Sequence, residues 1–478
     1  MRLSLVRLET LRLLRNPILW VVAPASLTVG VARGAAWLPD MTTVTIDAVT
    51  ISASAGAAVL IVAALAAGRD RRHGMPETLA ALPGRAAVRT QAVVLSAPVV
   101  GALIASLIIC VRLVVAESSG HAAGRIDPFE ALGGVALAAL AATTGAALGR
   151  WIPTLIAAPA VVCAVAFGML ANSRGEYGGW FLPVIPDHDP SWGTRLTREH
   201  LLYLTAAAVL LAALALLRHG LRPVRAIAAL TALAVAVPAG AAATAGAPAL
   251  PWATPHFVPR MPAQVCQAQE GVTYCVYPGY QPWIPVWAEA IRPVVAAVPE
   301  RARNRIPPVR QISGIYAPDD ILDQPRTWLV WSTDPTRHRA LLIGQMAAAV
   351  TGLGDGCDNL GRARTVVALW LAGRAEPLSD APDPGTWNAP GGGDDLPRGW
   401  IHIEVGGGTS FGVPGQLGGK RYGTAEVEYA RRLLERPDAA ARVKDHWDVL
   451  TSPETTIGQA LPLLGLPEGS VPRGERCE

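Results

Sequence analysis

The chain has 478 residues, of which 51% are hydrophobic and only 16% charged, with a net charge of +4. Soluble domains average about a quarter charged residues, and the deficit here falls in the first half of the chain. That excludes an ordinary soluble protein. It also excludes a nucleic-acid binder, because the basic residues of that half sit at the ends of apolar stretches and form no stripe. The charged opening Arg2–Arg15 precedes the first apolar run, and no small-residue cleavage site follows it. The first helix is therefore expected to stay as an anchor. Seven candidate spans follow, at 17–36, 46–67, 92–115, 129–149, 152–171, 200–217 and 225–247. A bilayer core takes roughly 20 apolar residues per helix, and the windows Ala48–Gly68 and Gln91–Cys110 contain no charge at all. The seventh span is mostly alanine, with Pro238 and Gly240 inside it. Alanine contributes little insertion energy, so the bundle is expected to have six or seven transmembrane helices.

The stretch 248–262 is a Pro-rich linker, in which repeated proline favours an extended spacer. Residues 263–478 have a globular composition and are expected to form a mixed α/β, helix-rich soluble domain. Gly271–Tyr280 reads as a hairpin strand and Thr327–Ser332 as a buried strand. Pro285–Val298, Arg337–Thr351, Leu360–Ala372 and Tyr422–Leu434 read as helices. Pro382–Leu396 reads as a loop, and Thr409–Ser410, inside the Gly-rich stretch Gly406–Gly412, reads as another.

Arginines near span ends set orientation. One set of loops holds Arg2, Arg7, Arg12 and Arg15, then Arg69, Arg71, Arg72, Arg85 and Arg89, then Arg150, then Arg218, Arg222 and Arg225. The opposite set holds Arg33, Arg125, Arg174, Arg195 and Arg198. The richer set is expected to be cytoplasmic. With seven spans the N-terminus lies inside and the C-terminal domain lies outside the cytoplasm. Four cysteines beyond the last span, Cys266, Cys275, Cys357 and Cys477, fit disulfides in an oxidising compartment. Cys266 with Cys275 across a short hairpin, and Cys357 with Cys477, is the favoured set among three pairings. Arg112, near the outer end of the third span, is expected to snorkel to the interface.

Two stretches resemble the permease subunits of ABC-2 type transporters. One is the opening, Arg7-Leu8-Glu9-Thr10-Leu11-Arg12-Leu13-Leu14-Arg15-Asn16-Pro17. The other is the loop between spans two and three, which begins Gly68-Arg69-Asp70-Arg71-Arg72-His73-Gly74 and runs through Glu77 and Pro83 to Arg85. The resemblance covers the membrane half. It implies a coupling helix in that loop, docked on a separate ABC ATPase subunit, with Arg69, Asp70, Arg71, Arg72 and Glu77 setting register and Leu79, Leu82 and Pro83 completing the element. It also implies a dimer of membrane subunits. The family ordinarily has six spans and a cytoplasmic C-terminus, so the extra span and the large domain depart from it.

No ATPase is expected in this chain. Gly415-Gln416-Leu417-Gly418-Gly419-Lys420-Arg421 lacks the spacing and the hydroxyl of a P-loop. A His-Glu-x-x-His helix and a Gly-x-Ser-x-Gly elbow are missing too. No catalytic residue, cofactor or metal site is expected. The leading expectation is an exporter permease in the bilayer, coupled in trans to an ATPase. The alternative is a non-transport membrane protein whose outer domain binds an envelope or peptide ligand.

Overall fold

The computed structural model describes residues 2–34, 38–72, 86–171, 184, 196–244, 263–312, 326–328, 335–354, 359–378, 401–405, 409–413, 417, 420 and 422–467. The chain divides into two units, Met1–Met261 and Pro262–Glu478.

Every element described in the first unit is a helix. In order they are α1 (Arg2–Leu14), α2 (Pro17–Gly34), α3 (Met41–Ala67), α4 (Arg69–Arg72), α5 (Ala86–Glu117), α6 (Pro128–Trp151), α7 (Ala157–Ala171), α8 (Thr197–Leu217) and α9 (Pro223–Thr244). Five of them, α3, α5, α6, α8 and α9, are long and apolar enough to cross a membrane, and α1 with α2 forms a sixth candidate bent by 57°. Helix starts follow local chemistry. Asp40 accepts from the Thr42 amide to cap α3. Asp127 accepts from the Phe129 and Glu130 amides to cap α6, with Pro128 in the first turn. The expected span 152–171 is cut short. Its first residues, Ile152 to Ile156 around Pro153, lie outside the helix, and α7 has only 15 residues. At 1.5 Å per residue it is about 22 Å long, against a hydrocarbon core of about 30 Å.

α3 is the centre of the bundle, packed on α2, α5 and α6. Ala58, Val59, Val62 and Ala63 of α3 meet Leu13, Leu19, Ala97, Val100 and Ala142 in one apolar cluster. The approach of α3 to α6 is set by two glycines four apart. A Cβ on Gly145 would stand 2.1 Å from the Leu60 carbonyl oxygen, and one on Gly149 would stand 2.4 Å from that of Ala64. Small residues at this spacing let backbones meet where the apolar solvent offers no hydrophobic drive. Large apolar side chains such as Val21, Leu103, Leu107, Phe167 and Leu230 remain exposed on the outside, as a lipid-facing surface requires.

In the second unit β1 (Val265–Gln269) and β2 (Val272–Val276) form an antiparallel hairpin. The strands β3 (Val309–Ile312) and β4 (Arg326–Trp328) add in parallel, giving the order β1-β2-β3-β4. Helix α10 (Ile284–Ala297) buries Trp287, Ile291 and Val294, which lie on one face at helical spacing. α11 (Pro335–Thr351) and α13 (Thr424–Leu434) pack on α12 (Ala363–Ala375), whose residues Ala363–Ala372 are all buried. Glu426 ties the start of α13 to the residues before α12. Its carboxylate accepts from the Gly423 amide at 3.0 Å, satisfying the N-cap N–H, and from the Gly361 amide at 2.6 Å. Short helices α14 (Ala439–Asp445), α15 (Trp447–Leu450) and α16 (Ile457–Leu464) end the described chain. Thr409–Ser410 is not loop. Strand β6 (Thr409–Val413) pairs with β5 (Ile401–Val405), so backbone pairing overrides the local glycines.

Candidate functional site

The first unit gathers charge at both ends of its helices. At the arginine-rich end, α4 follows α3 directly after Gly68 and carries Arg69, Asp70, Arg71 and Arg72. Three of these four turn inward. Arg69 Nη1 lies 3.6 Å from Glu9 Oε1 on α1, and Arg12 Nη1 donates to the same oxygen at 3.0 Å. Asp70 Oδ2 accepts from Arg89 Nε of α5 at 3.3 Å and lies 3.9 Å from Arg150 Nη2 of α6. Arg72 folds back to donate to the Leu65 carbonyl. Arg71 is exposed. One short helix therefore holds ties to α1, α5 and α6. Glu77, Leu79, Leu82 and Pro83 lie outside the described residues, as does the linker 248–262.

Glu9, Arg89 and Arg150 are the members that sequence reasoning missed as partners. Arg89 and Arg150 stand near helix ends and Glu9 lies within α1, and each meets a charge on another helix, so spacing does not announce the match. Glu9 is only 8% exposed, and its Oε2 has no hydrogen-bond partner among the described residues. The turn between α8 and α9 closes the same end. His219 Nε2 is 2.7 Å from Thr90 Oγ1. Burial, then the charges of Arg150, Arg225, Arg218 and Arg71, push the His219 pKa down. Arg225 is buried and donates to the carbonyls of Leu216 and Gly220.

At the opposite end Arg112 does not snorkel. It is 3% exposed and pairs with Asp47 of α3 at 3.4 Å, through both Nε and Nη2. The sequence places Asp47 one residue before a charge-free window, which is why it escaped notice as a buried charge. Asp47 lies in the second turn of α3 and Arg112 in the second turn from the end of α5. The guanidinium rests on the backbone of Gly34 at the end of α2. A Cβ there would stand 1.7 Å from Arg112 Nη2. The pair thus joins α2, α3 and α5 through two buried side chains. A charge pair inside an apolar bundle is a functional candidate by default.

In the second unit Cys266 and Cys275 are direct partners across the β1–β2 hairpin and form a disulfide. Cys357 and Cys477 lie outside the described residues. Cys110 and Cys163 are free thiols. Among the described residues no three His, Cys, Asp or Glu side chains are grouped as a metal would require. No family model matches the chain, and no curated protein and no solved structure is similar to it.

Proposed function

We propose that the chain is the membrane-spanning subunit of an ABC-type exporter, driven by a separate ATPase that docks at the arginine-rich end of the bundle. One observation carries the reading. The Gly68–Arg72 element leads straight out of the central helix α3 and is tied to α1 through Glu9 and to α5 and α6 through Asp70. Force applied there by a soluble partner reaches four helices as rigid bodies. Arg71 is exposed and can meet the partner. The arginine-rich end is then cytoplasmic. The second unit, a mixed α/β, helix-rich domain, lies on the oxidising side, which the Cys266–Cys275 disulfide supports.

The test is co-purification from native membranes with ATPase activity as the readout. The wild-type chain should carry an ATP-hydrolysing subunit, and Arg71→Glu should reduce its recovery at least several-fold. If no ATPase accompanies the wild-type chain, nor an Arg71→Cys variant crosslinked through that cysteine, the exporter reading fails. An impermeant thiol reagent on intact cells, with and without reductant, checks the side on which Cys266 and Cys275 lie.

A further inference from the structure

We propose that the arginine-rich end of the bundle is a binding site for a phosphate oxyanion, held between α4, α5, α6 and the α8–α9 turn. The argument does not depend on the exporter reading and starts from a charge imbalance. Arg150 lies within electrostatic reach of Arg71 and Arg89, with Asp70 as the opposing charge. His219 lies within reach of Arg150, Arg225, Arg218 and Arg71. Among the described residues, five arginines from four segments of chain therefore lie near Asp70, Arg150 and His219. Arginines that merely mark a membrane side reach out to water. Two of these do the reverse, because Arg150 is 7% and Arg225 is 8% exposed.

Their hydrogen bonding separates them. Arg225 is satisfied by backbone carbonyls. Arg150 is not, because its Nε is buried without a hydrogen-bond partner among the described residues and its Nη2 reaches Asp70 only at 3.9 Å. A buried guanidinium N–H without a partner, beside excess positive charge, suits an oxyanion, which accepts charge-assisted hydrogen bonds from arginine. His219, engaged with Thr90 and lowered in pKa, adds a neutral wall and no further charge. Trp151, half exposed next to Arg150, donates to the Leu214 carbonyl and has the Arg218 guanidinium over its ring at 5.5 Å. An indole at a helix end marks the headgroup level of a bilayer. The phosphate thus comes from an anionic lipid headgroup or from a free phosphate, and the two differ in what must be supplied.

The experiment uses the delipidated full chain in a neutral detergent at constant ionic strength. Thermal stabilisation is titrated with dihexanoyl phosphatidylglycerol, with the phosphatidylcholine analogue, and with inorganic phosphate against chloride. Saturable stabilisation by phosphatidylglycerol alone assigns a lipid headgroup, and saturation by inorganic phosphate as well assigns a free phosphate. In either case Arg150→Gln and Arg71→Gln should each weaken binding at least fivefold. Asp70→Asn, which removes the competing carboxylate, should tighten it. Arg125→Gln, at the other end of the bundle, should leave it unchanged. Arg71 is exposed, so its variant reports even if Arg150→Gln does not fold. The proposal is overturned if neither probe saturates, if Arg125→Gln weakens binding as much as Arg71→Gln, or if Asp70→Asn loses binding together with stability.

Discussion

The Asp47–Arg112 pair gives the sharpest energetic test of the bundle. Both partners are buried, at 8% and 3% side-chain exposure, and stand 3.4 Å apart. At an effective dielectric of about 20, unit charges at that distance attract by about 5 kcal/mol. Desolvation of two ions offsets much of this, so the net worth of the intact pair is small. Removing the carboxylate is another matter, because it takes the ion partner from the buried Arg112 guanidinium and costs about 3–5 kcal/mol. We expect Asp47→Leu to destabilise the protein by that amount. The double variant Asp47→Leu/Arg112→Met should cost less than Asp47→Leu alone. The assay is unfolding of the purified chain in mixed micelles with increasing dodecyl sulfate, analysed as a double-mutant cycle. Two mild single effects that simply add in the double variant would mean that the charges reach water independently. The burial argument would then be refuted.

Gly145→Ala should cost about 1–3 kcal/mol, because the new methyl meets the fixed backbone of Leu60 and must push α3 from α6. Gly133→Ala on the same helix has open space and should be close to neutral in the same unfolding assay. Reduction of Cys266–Cys275, which closes a short loop with a sequence separation of 9, should destabilise the second unit by about 2–3 kcal/mol, read as an earlier melting transition with reductant. Hydrogen bonds from Arg436, and then from Arg442, hold the Asp438 carboxyl below its ordinary range. Its folded pKa is depressed, so its stabilisation is present above the ordinary carboxylate pKa and is lost as pH falls below it. Asp438→Asn should flatten the acid limb of a stability-against-pH curve, and an unchanged limb would remove Asp438 from the account.

Local patterns in the sequence were enough to find most helices. Pro285–Val298 and Tyr422–Leu434 show their amphipathic spacing, and the structure places helices at Ile284–Ala297 and Thr424–Leu434. The Cys266–Cys275 pairing was legible because the hairpin register makes these residues direct partners. The Gly145–Gly149 spacing was also legible as a close-packing signal, yet reading the segment for hydropathy alone hid it. The charge pairs were not legible. Arg112 looked ready to snorkel because the nearest water was judged along its own helix, whereas its actual partner sits on another. Glu9 and Arg69 are joined only once α1 turns back against the end of α3. Pairing across tens of residues is a property of packing, and no periodicity encodes it.

The bend between α1 and α2 makes these two helices a crank. Its elbow, Arg15–Asn16, is braced on both sides: Trp20 Nε1 donates to the Leu14 carbonyl at 2.6 Å, and Asn16 Oδ1 accepts from the Ile18 amide at 3.0 Å. The short arm is pinned by Glu9 to Arg69, and the long arm ends at Gly34 under the Arg112 guanidinium. Measured from Asn16 the arms are about 10 Å and about 27 Å at 1.5 Å per residue. If the elbow turns as one piece, a displacement of about 1 Å at Glu9 becomes about 2.5 Å at Gly34. Spin labels on α2 and α5 near Gly34 and Arg112 would show an altered separation in Glu9→Gln, and an unchanged one would disprove the linkage. The two charged ends of the bundle, a membrane's thickness apart, would then share one moving part, with a ratio set by where the chain placed Asn16.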